Sequence, residues 1–224
     1  MKDCIQTKWT DDDGADGCDT ENARGRMRGR VDDLRASCRE NGLAATIDDV
    51  LAHPLERWVD AISKGIPLSQ GDVEILLVGV NEFMSFRDSL IVSVVCMVDE
   101  VDSLLAMAAH PHDSASVSKM SEHLSRAFED PESRPDEERC VRAISILERM
   151  AAMAESSQSA QPHAVIAYVM WWMGRDGARR RAESAHDADS SCSLASIVMS
   201  ALDRGVFPAW VGASKRCDVS FPEE

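Results

Sequence analysis

The stretch from Pro162 to Pro208, PHAVIAYVMWWMGRDGARRRAESAHDADSSCSLASIVMSALDRGVFP, constrains the fold more than any other. Ala167, Trp171 and Gly174 recur at i, i+4 and i+7, one face of a helix over about 163–173. Ala178, Ala182 and Ala185 repeat that spacing. An alanine stripe lets two helix axes come close, so the spacing predicts an antiparallel hairpin with Trp171 between its arms. Pro162 suits the first helical position, where its missing N–H costs nothing. Asp176, after a turn at Gly174, is placed to cap the second arm. Leu194, Ile197, Val198, Ala201 and Leu202 give a third helix an apolar stripe. Gly205 then supplies a left-handed stop, and Pro208 blocks continuation.

The same period runs back through the chain. Met27, Val31, Leu34 and Cys38 stand on one helical face. Thr46 to Asp49 reads as the start of a capping box, with a short helix to His53. Pro54 opens another helix bearing Leu55, Trp58, Val59 and Ile62, ended by Gly65 and Pro67. Ser69 and Asp72 cap the next, with Val73, Leu76, Leu77 and Val80 inward. The run ILLVGV also suits a buried strand, but the cap and the period favour a helix. After a break at 81–86, Leu90, Val94, Val98, Val101 and Leu105 predict one long, central helix from Arg87 to about Ala109. Val117, Met120, Leu124 and Phe128 mark a helix after Asp113 or Ser114, and Val141, Ile144, Leu147, Ala151 and Ala154 mark one after Pro135. The polar segment 129–136 between them is the clearest internal boundary. The expected fold class is all-α: antiparallel helical hairpins, either tetratricopeptide-like or an irregular helical bundle. The expected organisation is a disordered acidic tail over 1–22, a helical region over 23–157, a tetratricopeptide-like hairpin plus third helix over 158–212, and a polar tail over 213–224.

Composition removes several function classes. The 224 residues carry a formal charge of −15, which repels phosphate backbones. Nucleic acid is therefore an unfavoured partner. The seven cysteines form no CxxC pair and are odd in number, against a disulfide framework or a structural zinc site. The N-terminus has no apolar signal-peptide core. The longest apolar runs, near Leu90–Val98 and Ala164–Met173, are too short to span a bilayer. Reduced thiols and these absences predict a soluble, cytoplasmic protein with no membrane association.

Each chemical motif weakens on inspection. DDDGADG resembles a calcium loop, but from Asp12 its third position is Gly14 and its twelfth is Ala23. His110, His112 and Asp113, with a distant acid such as Asp88, suggest a metal-dependent hydrolase. Pro111 separates the histidines, however, and zinc sites need three or four placed ligands. Ser116 and Lys119 match S-x-x-K without its companion elements. Arg24, Arg26, Arg28 and Arg30, and again Arg175 to Arg181, could touch phosphates, yet no aromatic residue interleaves with the first group. No cofactor is implied.

The segment from Trp171 onwards resembles the closing segment of an actinobacterial domain-of-unknown-function family, number 4192. Trp171, Gly174, Ala178, Ala182, Ala185, Asp189, Leu194, Ala195, Gly205 and Pro208 follow that family's order, with Ser190 where the family has proline. Phe86 to Leu90 is similar to its internal Arg-Asp motif. The resemblance covers about His53 to Pro208 and implies the family's helical C-terminal part alone, with hairpins similar to tetratricopeptide repeats. It brings no established activity. The expectation is a non-catalytic protein-interaction or scaffold module, with Arg87, Asp88, Trp171 and Trp172 as its partner-binding or structural motif. Trp172 and some of the eleven methionines are candidates for the contact surface.

Overall fold

A computed structural model describes residues 16–212, with side chains from residue 25 onward. The polar tail at 213–224 and most of the calcium-like run lie outside the described residues. Among those described, every regular element is helical. They are α1 (Asp16–Thr46), α2 (Ala52–Lys64), α3 (Gln70–Glu82), α4 (Met84–Val95), α5 (Val101–Ala109), α6 (Ser114–Glu129), α7 (Glu137–Met153), α8 (Ala160–Trp172), α9 (Ala178–Ala188) and α10 (Ser193–Asp203). A π-turn at Ile47–Leu51 joins α1 to α2, and a 3-10 turn at Ser156–Ser159 precedes α8.

The all-α expectation holds, and the arrangement is a closed bundle. In a solenoid each unit touches only its neighbours in sequence. Here α2 meets α7, α1 meets α3 and α5, and α4 meets α8. One buried apolar cluster runs from Met27 to Ala195, so the expected regions 23–157 and 158–212 share a single core. The polar segment 129–136 is a surface loop beside that core.

Several local expectations are met. Ser69 and Asp72 form a reciprocal capping box at the start of α3, so ILLVGV is helical. Ala178, Ala182 and Ala185 are buried: Ala178 and Ala182 share a small cluster with Ala167, Trp171 and Val198, and Ala185 joins the main core. The turn between α8 and α9 uses Gly174 at φ 62° and Gly177 at φ 95°, backbone that a side chain disfavours. Gly177, rather than Asp176, occupies the capping position of α9.

Three boundaries differ. The acidic residues 16–22 belong to α1, so the expected tail boundary falls inside a helix. Thr46 makes no cap. It is helical, fully buried, and its hydroxyl donates to the Gly42 carbonyl at 2.9 Å, where α1 is kinked. The long helix expected from Arg87 to Ala109 is an antiparallel pair instead, α4 and α5, broken at Cys96–Glu100. Ser89 Oγ donates to the Leu104 carbonyl at 3.0 Å and Ser85 Oγ to that of Ala108 at 2.7 Å, stitching the two arms. The break is held from outside. Arg139 of α7, 4% exposed, donates from Nε to the Ser93 carbonyl at 2.9 Å and from its terminal nitrogen to Asp99 at 2.6 Å. The end of α4 thereby gains a partner for a carbonyl that the helix leaves open. The most central helix is α8, apolar on all sides and in contact with α3, α4, α7, α9 and α10.

Candidate functional site

Two helices carry apolar rows that run from the core out to the surface. On α6, Val117, Met120 and Leu124 stand at i, i+3 and i+7. On α10, Leu194, Ile197 and Ala201 repeat that spacing. Val117 is 52% exposed and Ile197 is 56% exposed. A groove of about 270 Å³ is walled by Met120 and Leu124 of the first row and by Leu194 and Ile197 of the second, with Ile91 and Val92 of α4 and Tyr168 of α8 completing its lining. Beyond Ile197 it continues into a shallower, more open depression of about 470 Å³ edged by Ala201 and Val206. Large exposed apolar side chains are unusual when they line one concave surface, and such surfaces mark contact sites.

The polar groups of the groove sit at its base. Arg87, 6% exposed, donates to Asp88 Oδ1 from Nε at 2.9 Å and from a terminal nitrogen at 2.7 Å. Its other terminal nitrogen donates to Gln161 Oε1 on α8 at 3.0 Å. Adjacent positions on a helix ordinarily point apart, yet these two side chains pair. The guanidinium curls back along the first turn of α4 and also reaches α8. Both bonds to Asp88 use one carboxylate oxygen, leaving Oδ2 without a partner among the described residues. The Asp88 side chain is 38% exposed. The Tyr168 hydroxyl likewise makes no hydrogen bond to a described residue, and burial, aided by Cys96 and then by Asp88, pushes its pKa up. The groove therefore presents apolar walls with one carboxylate oxygen and one phenol at the bottom.

The tryptophans stand elsewhere. Trp171 is 6% exposed, and its indole N–H donates to the Val206 carbonyl at 2.8 Å. Trp172, expected at the surface, is 1% exposed and packs against Phe128 at 5.2 Å and Trp210 at 6.4 Å between ring centroids. Both serve the core around α8. Most of the described methionines are also core or packed against it, with Met84 and Met97 the exposed exceptions.

The structure does not assemble the metal set. His110 Nδ1 is 4.0 Å from Asp113, and no group of three or more His, Cys, Asp or Glu side chains able to hold a metal ion occurs among the described residues. Ser116 Oγ donates to the Ala106 carbonyl, and Lys119 reaches Ser103 instead. The arginine groups are largely consumed. Arg26 and Arg30 both reach Glu74, whose side chain is 3% exposed, and Arg28 reaches Glu155. Arg175, Arg179 and Arg181 pair with Glu137, Asp203 and Glu148. Arg24 lies outside the described side chains. Sequence reasoning reaches Arg87 and Asp88 but not Tyr168, whose only signal is that it is the single tyrosine of the chain. Comparison with family models, with curated proteins and with solved structures found no match.

Proposed function

We propose that this chain is a non-catalytic helical interaction module that receives an apolar, basic helix of a protein partner in the groove between α6 and α10. The observation that carries the reading is the pair of facing apolar rows with the open Asp88 oxygen beneath them. Recognition of this kind places i, i+3 and i+7 anchors of a helix into an apolar groove. A lysine or arginine on the incoming helix would find Asp88, and the charge of −15 favours a basic partner over nucleic acid. The neutralised arginines of α1 and α9 support the same preference. The α8–α9 hairpin is, on this reading, a tetratricopeptide-like scaffold element shared with the actinobacterial family 4192, and unpaired thiols at Cys38, Cys96, Cys140 and Cys192 suit a cytoplasmic setting.

The test uses a fluorescent, leucine- and lysine-rich amphipathic helical peptide titrated into the full chain. Ile197→Asp should weaken binding at least about tenfold, roughly 1.4 kcal/mol. Its melting temperature should stay close to wild type, because the side chain is mostly exposed. Val141→Asp, an equally acidic change at an exposed site on α7, should leave binding unchanged. Equal effects of the two substitutions, or no saturable binding, would refute the groove.

A further inference from the structure

We infer that the cavity between the end of α4, the outer face of α6 and the loop 130–136 binds the phosphate group of a small molecule. The cavity holds about 240 Å³ and is walled by His123, Arg126, Arg134 and Ser133, over a floor that includes Val95 and Ala127. Neither arginine, nor His123, has an ion-pair or hydrogen-bond partner for its side chain among the described residues. That is unusual in a chain of charge −15, where most described arginines have found a carboxylate or a carbonyl. Two acids of the loop are turned to backbone and loop groups: Asp130 accepts from the Glu132 amide at 2.9 Å and the Ser133 hydroxyl at 3.4 Å, and Asp136 accepts from the Arg139 amide at 3.0 Å.

The backbone at the cavity adds a second, independent sign. Cys96 has φ −100° and ψ 2°, and Met97 follows at φ 54°, the only positive φ outside glycine among the described residues. A right-handed residue followed by a left-handed one forms a nest whose successive amides converge on an anion. The Cys96 amide is committed to the Val92 carbonyl at 2.9 Å, and the amides of Met97 and Val98, which donate to no described residue, are those left for an anion. Both residues of the nest line the cavity. The negative pole at the end of α4 opposes an anion there, but it amounts to roughly half a charge against two guanidinium groups. Arginine supplies the forked donors that phosphate oxygens accept. The volume admits phosphate with a short organic remainder and is below the range of drug-sized sites, which begins at roughly 300 Å³.

Calorimetric titration of the full chain with inorganic phosphate and with glycerol 3-phosphate tests this. Arg126→Gln with Arg134→Gln should weaken binding of both at least about tenfold. Arg39→Gln with Arg180→Gln removes two exposed arginines that also lack ion pairs, away from the cavity, and should leave affinity unchanged. Tighter binding of glycerol 3-phosphate than of phosphate identifies an organic phosphate as the ligand; equal binding identifies free phosphate. Absence of saturation by roughly 10 mM, or equal loss in both double variants, would overturn the assignment. All four arginines are exposed, so thermal melts of both variants should match wild type and keep a lost affinity from being a lost fold.

Discussion

Gly79 shows how a single position decides whether two helices can meet. It lies inside α3, where alanine would ordinarily be the better helix former by about 1 kcal/mol. A Cβ there would stand 2.8 Å from Phe86 Cε1, 2.9 Å from Cδ1 and 3.1 Å from Leu51 Cδ2. Phe86 and Leu51 are fully buried and have nowhere to go. Gly79→Ala should therefore destabilise the protein by about 1–3 kcal/mol in urea unfolding, the reverse of the propensity effect. Nothing in the run ILLVGV distinguishes this glycine from an incidental one, because the reason for it sits on the next helix. The Arg87–Asp88 pair was half legible for a similar reason. Its residue types and its place at a helix start are in the sequence, while its geometry depends on Gln161, brought in from α8.

Helices that carry their own punctuation were readable. Alanine spacing and two glycines specify the α8–α9 hairpin, and Ser69 with Asp72 fixes the start of α3. The α4–α5 pair was not, since both arms are apolar and Leu90, Val94, Val98, Val101 and Leu105 keep helical register straight across the break. What bridges the break is Arg139, 40 residues beyond Asp99. Its guanidinium is buried, bonded to the Ser93 carbonyl, while Trp58 Nε1 donates to the Ser93 hydroxyl at 2.9 Å. Arg139→Ala should lower stability by about 2 kcal/mol, because it strips a charge-assisted bond from the buried Ser93 carbonyl. Hydrogen exchange should report the loss first at the amides around 93–101. Uniform loss across α8 and α9 instead would deny Arg139 a local role. The groove was legible only in parts: its rows on α6 and α10 are evident as stripes, but their facing one another is a property of the assembled bundle.

At the level of the whole molecule, buried ionisable groups bracket a pH range of greatest stability. Burial holds His163 below its ordinary pKa of 6.5, so below that pH the unfolded chain binds a proton that the folded chain resists. Burial pushes the Cys96 and Cys140 thiols up to about 12, so above 9.0 the unfolded chain ionises first. Stability should therefore be flat between about pH 6.5 and 9 and fall on both sides, each thiol contributing up to about 1.4 kcal/mol per pH unit on the alkaline side. Urea midpoints at pH 5, 7.5 and 10 measure this. Cys96→Ala with Cys140→Ala should flatten the alkaline limb, and His163→Phe should reduce the acid one. Finally, α1 meets the rest of the bundle through Arg26, Arg28, Arg30 and Arg35, each reaching a glutamate, with Met27 and Leu34 as its deeply inserted anchors before the kink. It is a strap buckled by charge more than by oil, and brine, which barely touches an oily seam, is what would let such a strap slip.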